Sequence, residues 1–355
     1  MFPVLSLTVS LAIWLSPGEN AVRIRTGPSL EIGREDVLFG SITSVCEDDQ
    51  KNFYILDRME FKVHKYSPDG RLLRKFGQKG QGPGDFQSPS RIVFTSQREL
   101  AVLEDLYYVS FLKTDGSFIR RLDLNGRLGL GYIGPNRFYG WIWRPEDRQQ
   151  VMVDKKNTIV STFHFQPKDA FSVALPDETG RAVMFNYVSE FYVPEFLFDH
   201  GPFLSAVGIS ALYELALLDE SGRSVSFIKR DLTPPRITRK ERAYLEKDIL
   251  EFTRAKGWPQ RVGRELIKKI PDAKNSIRAV RIASDHIFVF RFAPDITRQD
   301  VPFLVDIFTR RGEFLGSTEL SEIPLFISDK TIYFVRSDES GNVFLARTEY
   351  TLSGI

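Results

Sequence analysis

The sequence predicts an all-β fold, a six-bladed β-propeller with one helical insertion between blades four and five. Three observations lead there. Short apolar strands recur in sets of four along the 355 residues. A glycine-bearing turn repeats, with Gly70 and Gly116 lying 46 residues apart. Only Thr233–Asn275 changes to helical spacing. A self-similar period of this length marks a repeat architecture, in which each unit buries its apolar face only against its neighbours.

The elements follow in order. Ala21–Arg25 and Ser29–Ile32 are short strand-like pieces. Blade one reads as Ser41–Glu47, Asn52–Asp57, Lys62–Tyr66 and Leu72–Phe76. Its Asp69-Gly70 turn joins two alternating runs and is read as a tight hairpin with both central residues at positive φ. Blade two repeats the plan at Arg91–Thr95, Glu99–Glu104, Tyr108–Lys113 and Phe118–Leu122, with Asp115-Gly116 as its turn. Blade three spans Gly131–Phe165, and its turn holds Asn157 where glycine stood, because Asn also tolerates the left-handed region. Blade four spans Phe196–Lys229 and turns at Gly222, after an aromatic-rich insertion near Ala182–Pro194. Blade five spans Ile277–Leu320 and turns at Gly312. Blade six has only three strands, Pro324–Ile327, Thr331–Val335 and Val343–Tyr350. The spare N-terminal strand is expected to supply the fourth, closing the ring and removing free sheet edges.

The insertion, residues 233–275, opens with Pro234-Pro235. Thr238 and Glu241 form a capping box, and Leu245, Ile249 and Phe252 share one helical face. Gly257 and Pro259 stop this helix. Val262, Leu266, Ile267 and Ile270 indicate a second, shorter one. The segment is rich in Lys and Arg. It reads as a solvated face laced with Glu/Lys pairs, the alternative being a docking surface for an anionic partner.

After blade one the loop runs Gly77-x-x-Gly80-x-Gly82-Pro83-Gly84-x-Phe86-x-x-Pro89. A phosphate-cradling loop would need a helix directly afterwards, and Pro89 with the β-rich Arg91–Phe94 follows instead. Together, Lys62–Pro89 resembles the NHL-type repeat of six-bladed propellers, in which the outer strand of one blade crosses to the inner strand of the next. Beyond blade one the resemblance is in pattern only. It implies a relation to secreted bacterial six-bladed propellers and assigns no ligand.

The N-terminus, Phe2–Leu15, is apolar and ends in Ser16-Pro17-Gly18. It reads as a secretory signal peptide over residues 1–18, too short for a transmembrane span. Residues 19–355 then form a single domain, secreted or periplasmic and monomeric. With 48 basic and 46 acidic residues the net charge is only +2, so no nucleic-acid partner is expected. Cys46 is alone, which excludes a disulfide scaffold.

Aligning the second strands places Asp57, Glu104, Arg144, Val207, Arg291 and Arg336 at one height. The five charged members, Asp57, Glu104, Arg144, Arg291 and Arg336, are the candidate ligand site at the channel mouth. Arg suits bidentate recognition of carboxylate or phosphate. The rival reading is an internal ring of ion pairs tying blades together. Tyr139, Trp141 and Trp143 read as blade core. His64, His164, His200 and His286 share no repeat position, so no metal site and no cofactor is expected. No Gly-x-Ser-x-Gly, Walker or HExxH motif occurs. The expected function is an extracytoplasmic binding module for a protein or small anionic ligand on the loop face. The alternatives are a lyase or hydrolase at the channel mouth and a structural subunit of an envelope assembly.

Overall fold

The computed structural model describes residues 22–33, 37–104, 108–124, 131–144, 147–167, 172–176, 179–187, 193–292, 295–298 and 301–354. The signal-peptide reading falls on residues outside these. No described helix is long and apolar enough to cross a membrane.

Six four-stranded antiparallel sheets make the propeller. Blade one is β2 (Ile42–Glu47), β3 (Phe53–Asp57), β4 (Lys62–Tyr66) and β5 (Leu72–Phe76). Blade two is β6 (Pro89–Phe94), β7 (Leu100–Glu104), β8 (Tyr108–Leu112) and β9 (Phe118–Asp123). Blade three is β10 (Gly131–Gly134), β11 (Arg137–Trp143), β12 (Asp147–Asp154) and β13 (Ile159–Pro167). A separate hairpin follows, β14 (Ser172–Pro176) and β15 (Ala182–Asn186). Blade four is β16 (Phe196–His200), β17 (Ser205–Ile209), β18 (Glu214–Leu218) and β19 (Ser224–Lys229). The helices α1 (Arg239–Ala255) and α2 (Gln260–Lys268) lead to blade five, β20 (Ile277–Ile282), β21 (His286–Arg291), β22 (Phe303–Thr309) and β23 (Phe314–Leu320). Blade six is β24 (Phe326–Ile327), β25 (Thr331–Ser337) and β26 (Val343–Ser353), completed by β1 (Arg23–Ile32). The register runs from Arg23 opposite Ser353 to Ile32 opposite Leu345, so the two ends of the chain close the ring as expected.

Strand position within a blade follows from composition. The second strands β3 and β7 are buried at every residue, because adjacent blades cover both of their faces. The outer strand β5 carries Leu-Leu-Arg-Lys-Phe and is mostly exposed.

The repeated hairpin differs from its expected geometry. In blade one Gly70 N donates to Ser67 O and Ser67 N to Arg71 O. Only Gly70, at φ 86°, is left-handed; Asp69 is not. This is a turn followed by a left-handed bulge residue, the three-residue hairpin, rather than the two-residue form. Gly116, Asn157, Gly222 and Gly312 occupy the same position with positive φ. In three of these hairpins glycine also permits close approach to the preceding blade: Gly116 to Phe76, Gly222 to Met152 and Gly312 to Phe227 O.

The insertion has its own core. Leu245, Ile249, Val262 and Leu266 pack with Val173 and Tyr187 of the hairpin segment and with Ile296. Thr238 and Glu241 make the expected capping box. Glu241 also accepts from Lys274 Nζ at 2.6 Å and Ile296 N at 3.0 Å, in a site closed to solvent. The aromatic-rich insertion and the helices are thus one accessory unit. It is built from the blade three-to-four connection, the blade four-to-five connection and the second turn of blade five, all on one face. Several of its basic residues are paired at the surface, as in Lys268–Glu265 at 2.7 Å and Lys240–Asp295 at 3.3 Å.

Candidate functional site

The five charged residues stand where second strands end. Asp57, Glu104 and Arg291 are terminal, Arg336 is penultimate and Arg144 follows β11. Val207 does not belong with them: it lies mid-strand in β17, which ends at Ile209. No hydrogen bond or ion pair among the described residues joins any two of the five, and none of them lines the central cavity.

Four of the blades use this position to clasp the loop entering their own first strand. Asp57 accepts from Gly40 N at 2.7 Å and Ser41 N at 3.0 Å. Glu104 accepts from Gln87 N at 2.5 Å and Ser88 N at 3.3 Å. In blade four Ser210 Oγ accepts from Glu195 N at 2.8 Å. In blade six Arg336 Nη2 donates to Glu322 at 2.8 Å. Burying a carboxylate is tolerated where several N–H groups point at it. Arg291 turns instead onto Asp306 of β22, with Nε and Nη2 at 2.8 and 2.6 Å. Asp306 also accepts from Ser317 Oγ at 2.6 Å and from the Tyr213 hydroxyl, and pairs with Arg230 at 2.8 Å. In place of the rival internal ring across blades, these positions make clasps within blades, and among the five residues Arg291 alone joins a described cluster that bridges two blades, the one around Asp306. Arg144 is exposed, and its backbone N–H bonds Asp147 O at 2.8 Å.

The concave site lies elsewhere. A cavity of about 550 Å³ occupies the central channel, lined by the innermost strands of blades one, two, four, five and six and by the turns after them. Those turns lie on the face opposite the accessory unit. Most acids at the mouth are already bonded. Glu47 accepts from Tyr333 and Ser328 at 2.7 and 3.0 Å, Asp49 pairs with Arg98 at 2.7 Å, and Asp329 accepts from Ser284 N at 2.9 Å.

Deeper in, three charged groups meet. Asp199 accepts from Ile282 N at 2.7 Å, and burial pushes its carboxyl above the ordinary range despite Arg281 and Arg91 nearby. Arg281 donates to Pro324 O at 2.7 Å and Val280 O at 2.8 Å. Arg91 is less engaged. Its Nη1 stands 3.9 Å from Asp199 Oδ1, its guanidinium lies over the Phe198 ring at 5.5 Å, and its side chain is 36% exposed to the cavity. Its donors make no hydrogen bond among the described residues. His200, the one described histidine on the lining, is held neutral by burial and by Arg91, down to about 3. Its Nδ1 is 3.0 Å from Ser205 Oγ, and Ser205 is buried.

Comparing second strands missed Arg91, Asp199 and Arg281. The available signal was a charged residue inside a first strand, where the alternation turns it toward the channel. The histidine reading also changes. His64 is fully buried, with Glu60 and Asp57 close by. Burial, then Lys75, lowers it to about 4.

A family described as 6-bladed beta-propeller matches residues 30–192. No curated protein matches the chain in sequence. Among solved structures, a member of the duf4221 family from Bacteroides vulgatus superposes with a TM-score of 0.53 at 10% identity, over 94% of this chain and 99% of that one. A protein of Bacteroides fragilis named as exported gives 0.50 at 13% identity, over 94% and 97%. At these identities the similarity shows the fold alone.

Proposed function

We propose that this propeller is a binding module that takes a small carboxylate-bearing ligand in its central channel, entered from the face opposite the accessory unit. One observation carries the reading: Arg91 faces a cavity of about 550 Å³, and beyond its 3.9 Å approach to Asp199 its guanidinium makes no hydrogen bond among the described residues. A volume in the range of roughly 300–1,000 Å³ suits a small molecule. Arg91 and Arg281 face the single carboxyl of Asp199, whose charge burial disfavours. An anion accepted by Arg91 would complete that balance, and its planar fork fits a carboxylate in two bonds. The ligand class is the one expected from the sequence, but the residues differ from the second-strand set. We also propose that the protein works outside the cytoplasm, a reading supported by its apolar N-terminal run.

The test is titration calorimetry and thermal melting with small mono- and dicarboxylates and with inorganic phosphate. A carboxylate should raise the melting temperature, and Arg91→Ala should weaken its binding about tenfold or more, as for a charge-assisted hydrogen bond. No anion-dependent shift in the parent protein, or an equal shift in Arg91→Ala, would overturn the reading.

A further inference from the structure

We infer that blade one carries a binding site for a first-row divalent cation, formed by Asp57, Glu60 and His64. Asp57 ends β3, Glu60 sits in the turn that follows and His64 lies in β4, paired opposite Ile55. The hairpin therefore folds three ligand-type side chains into one corner. One ligand atom from each lies within 4.8 Å of the others. His64 Nε2 and Glu60 Oε2 are 3.6 Å apart. Bonds of roughly 2.0–2.2 Å to a shared ion set ligand atoms about 3.5 Å apart, the spacing that His64 Nε2 and Glu60 Oε2 already have, so the remaining edges must close toward it.

A second observation points to the same place. The His64 side chain is closed to solvent, and neither ring nitrogen has a hydrogen-bond partner among the described residues. A buried imidazole with both nitrogens unsatisfied is rare and costly, and an ion is one of the few things that resolves it. The ring packs against Phe39 with centroids 5.1 Å apart, which fixes its plane. Asp57 is fixed as well. Its Oδ1 accepts three backbone N–H groups, from Ser41, Met59 and Glu60, whereas Oδ2 accepts one among the described residues, from Gly40, leaving it the more open oxygen. Glu60, at 37% side-chain exposure, is the movable ligand and the way in. Lys62 Nζ, 3.7 Å from Glu60, is the competing cation, and it is exposed enough to swing away.

Two carboxylate oxygens and one neutral imidazole make a mixed N/O set. It suits zinc or manganese over calcium, which prefers six to eight oxygens, and over copper(I), which prefers sulfur. Three protein ligands leave at least one position for water. The ion would pin the turn of blade one to the loop that Asp57 already clasps.

The experiment uses tag-free full-length protein, stripped with chelator and titrated with zinc and separately with manganese. One equivalent should bind, with a rise in melting temperature. His64→Gln should weaken binding at least tenfold. Glu60→Gln, at an exposed position, should do the same while leaving the metal-free melting temperature unchanged, so that loss of the site is separated from loss of the fold. Absence of binding to the parent protein, or equal affinity in Glu60→Gln, would overturn the proposal.

Discussion

Gly70, at the tip of the outer hairpin of blade one, rests on Leu30 of β1: a Cβ on Gly70 would stand 2.7 Å from Leu30 Cδ2. The contact crosses the seam where the chain ends close the ring. It makes one residue answer two demands, a left-handed backbone and an absent side chain.

Gly70→Ala should therefore cost more than backbone strain alone. Gly180 has a similar φ of +81° with nothing within 4 Å of its Cβ position, and serves as the control. Gly180→Ala should lower stability by about 1 kcal/mol, and Gly70→Ala by about 1–2 kcal/mol, because the terminal methyls of Leu30 and Ile32 must also shift. Urea unfolding of the two variants gives the comparison. Equal losses would show that the seam accommodates the methyl group.

Removal of residues 22–32 should abolish the single cooperative transition. Without β1, blade six keeps three strands and β26 presents an open edge. Calorimetry should show a broad or split transition, and a deletion that leaves the melting curve unchanged would refute closure by β1.

Asp306 should govern the acid limb of stability. Burial opposes its charge, but Arg291, then Ser317 and Tyr213, outweigh burial and hold its carboxyl below the ordinary range. A carboxyl depressed in the folded state stabilises above its unfolded value of about 3.9. That stability is lost as pH falls through the lower folded value. Unfolding free energy should thus drop below about pH 4. Asp306→Asn should cost about 3–5 kcal/mol at neutral pH, since Arg291 and Arg230 lose a buried counter-charge. It should also flatten the acid limb. An unchanged limb in the variant would assign the pH dependence to other carboxylates.

Arg336→Ala separates the two faces of the propeller. Its ion pair with Glu322 is 38% and 39% exposed, so stability should change by less than about 1 kcal/mol. If ligand binds in the channel, carboxylate affinity should stay at the parent value while Arg91→Ala loses it. A larger loss from Arg336→Ala than from Arg91→Ala would return the site to the ends of the second strands.

The architecture was legible because hairpin chemistry and alternation are local. Gly116, Gly222 and Gly312 mark their turns without reference to anything distant, and Asn157 substitutes where glycine was expected. The spare N-terminal strand was found by counting. The site was less legible because the alignment weighed charge without asking what each charge would touch. Asp57 and Glu104 are charged because loop N–H groups converge on them, a demand set by tertiary placement. Arg91 and Asp199 stand more than a hundred residues apart and meet only when the ring forms. Val207 was misplaced because blade four ends its second strand in Gly208-Ile209, with Ser210 next and no charge to mark the end.

The pairing of β1 with β26 also sets an order of events. A ribosome delivers β1 first and its partner last, so the earliest strand waits as an unpaired edge while every blade is made. Pairings of such sequence separation form slowly. The waiting edge is a template for pairing with other nascent chains. A chain arrested before β26 would not be a smaller propeller: it would be an arc of blades with two live ends, prone to join its neighbours.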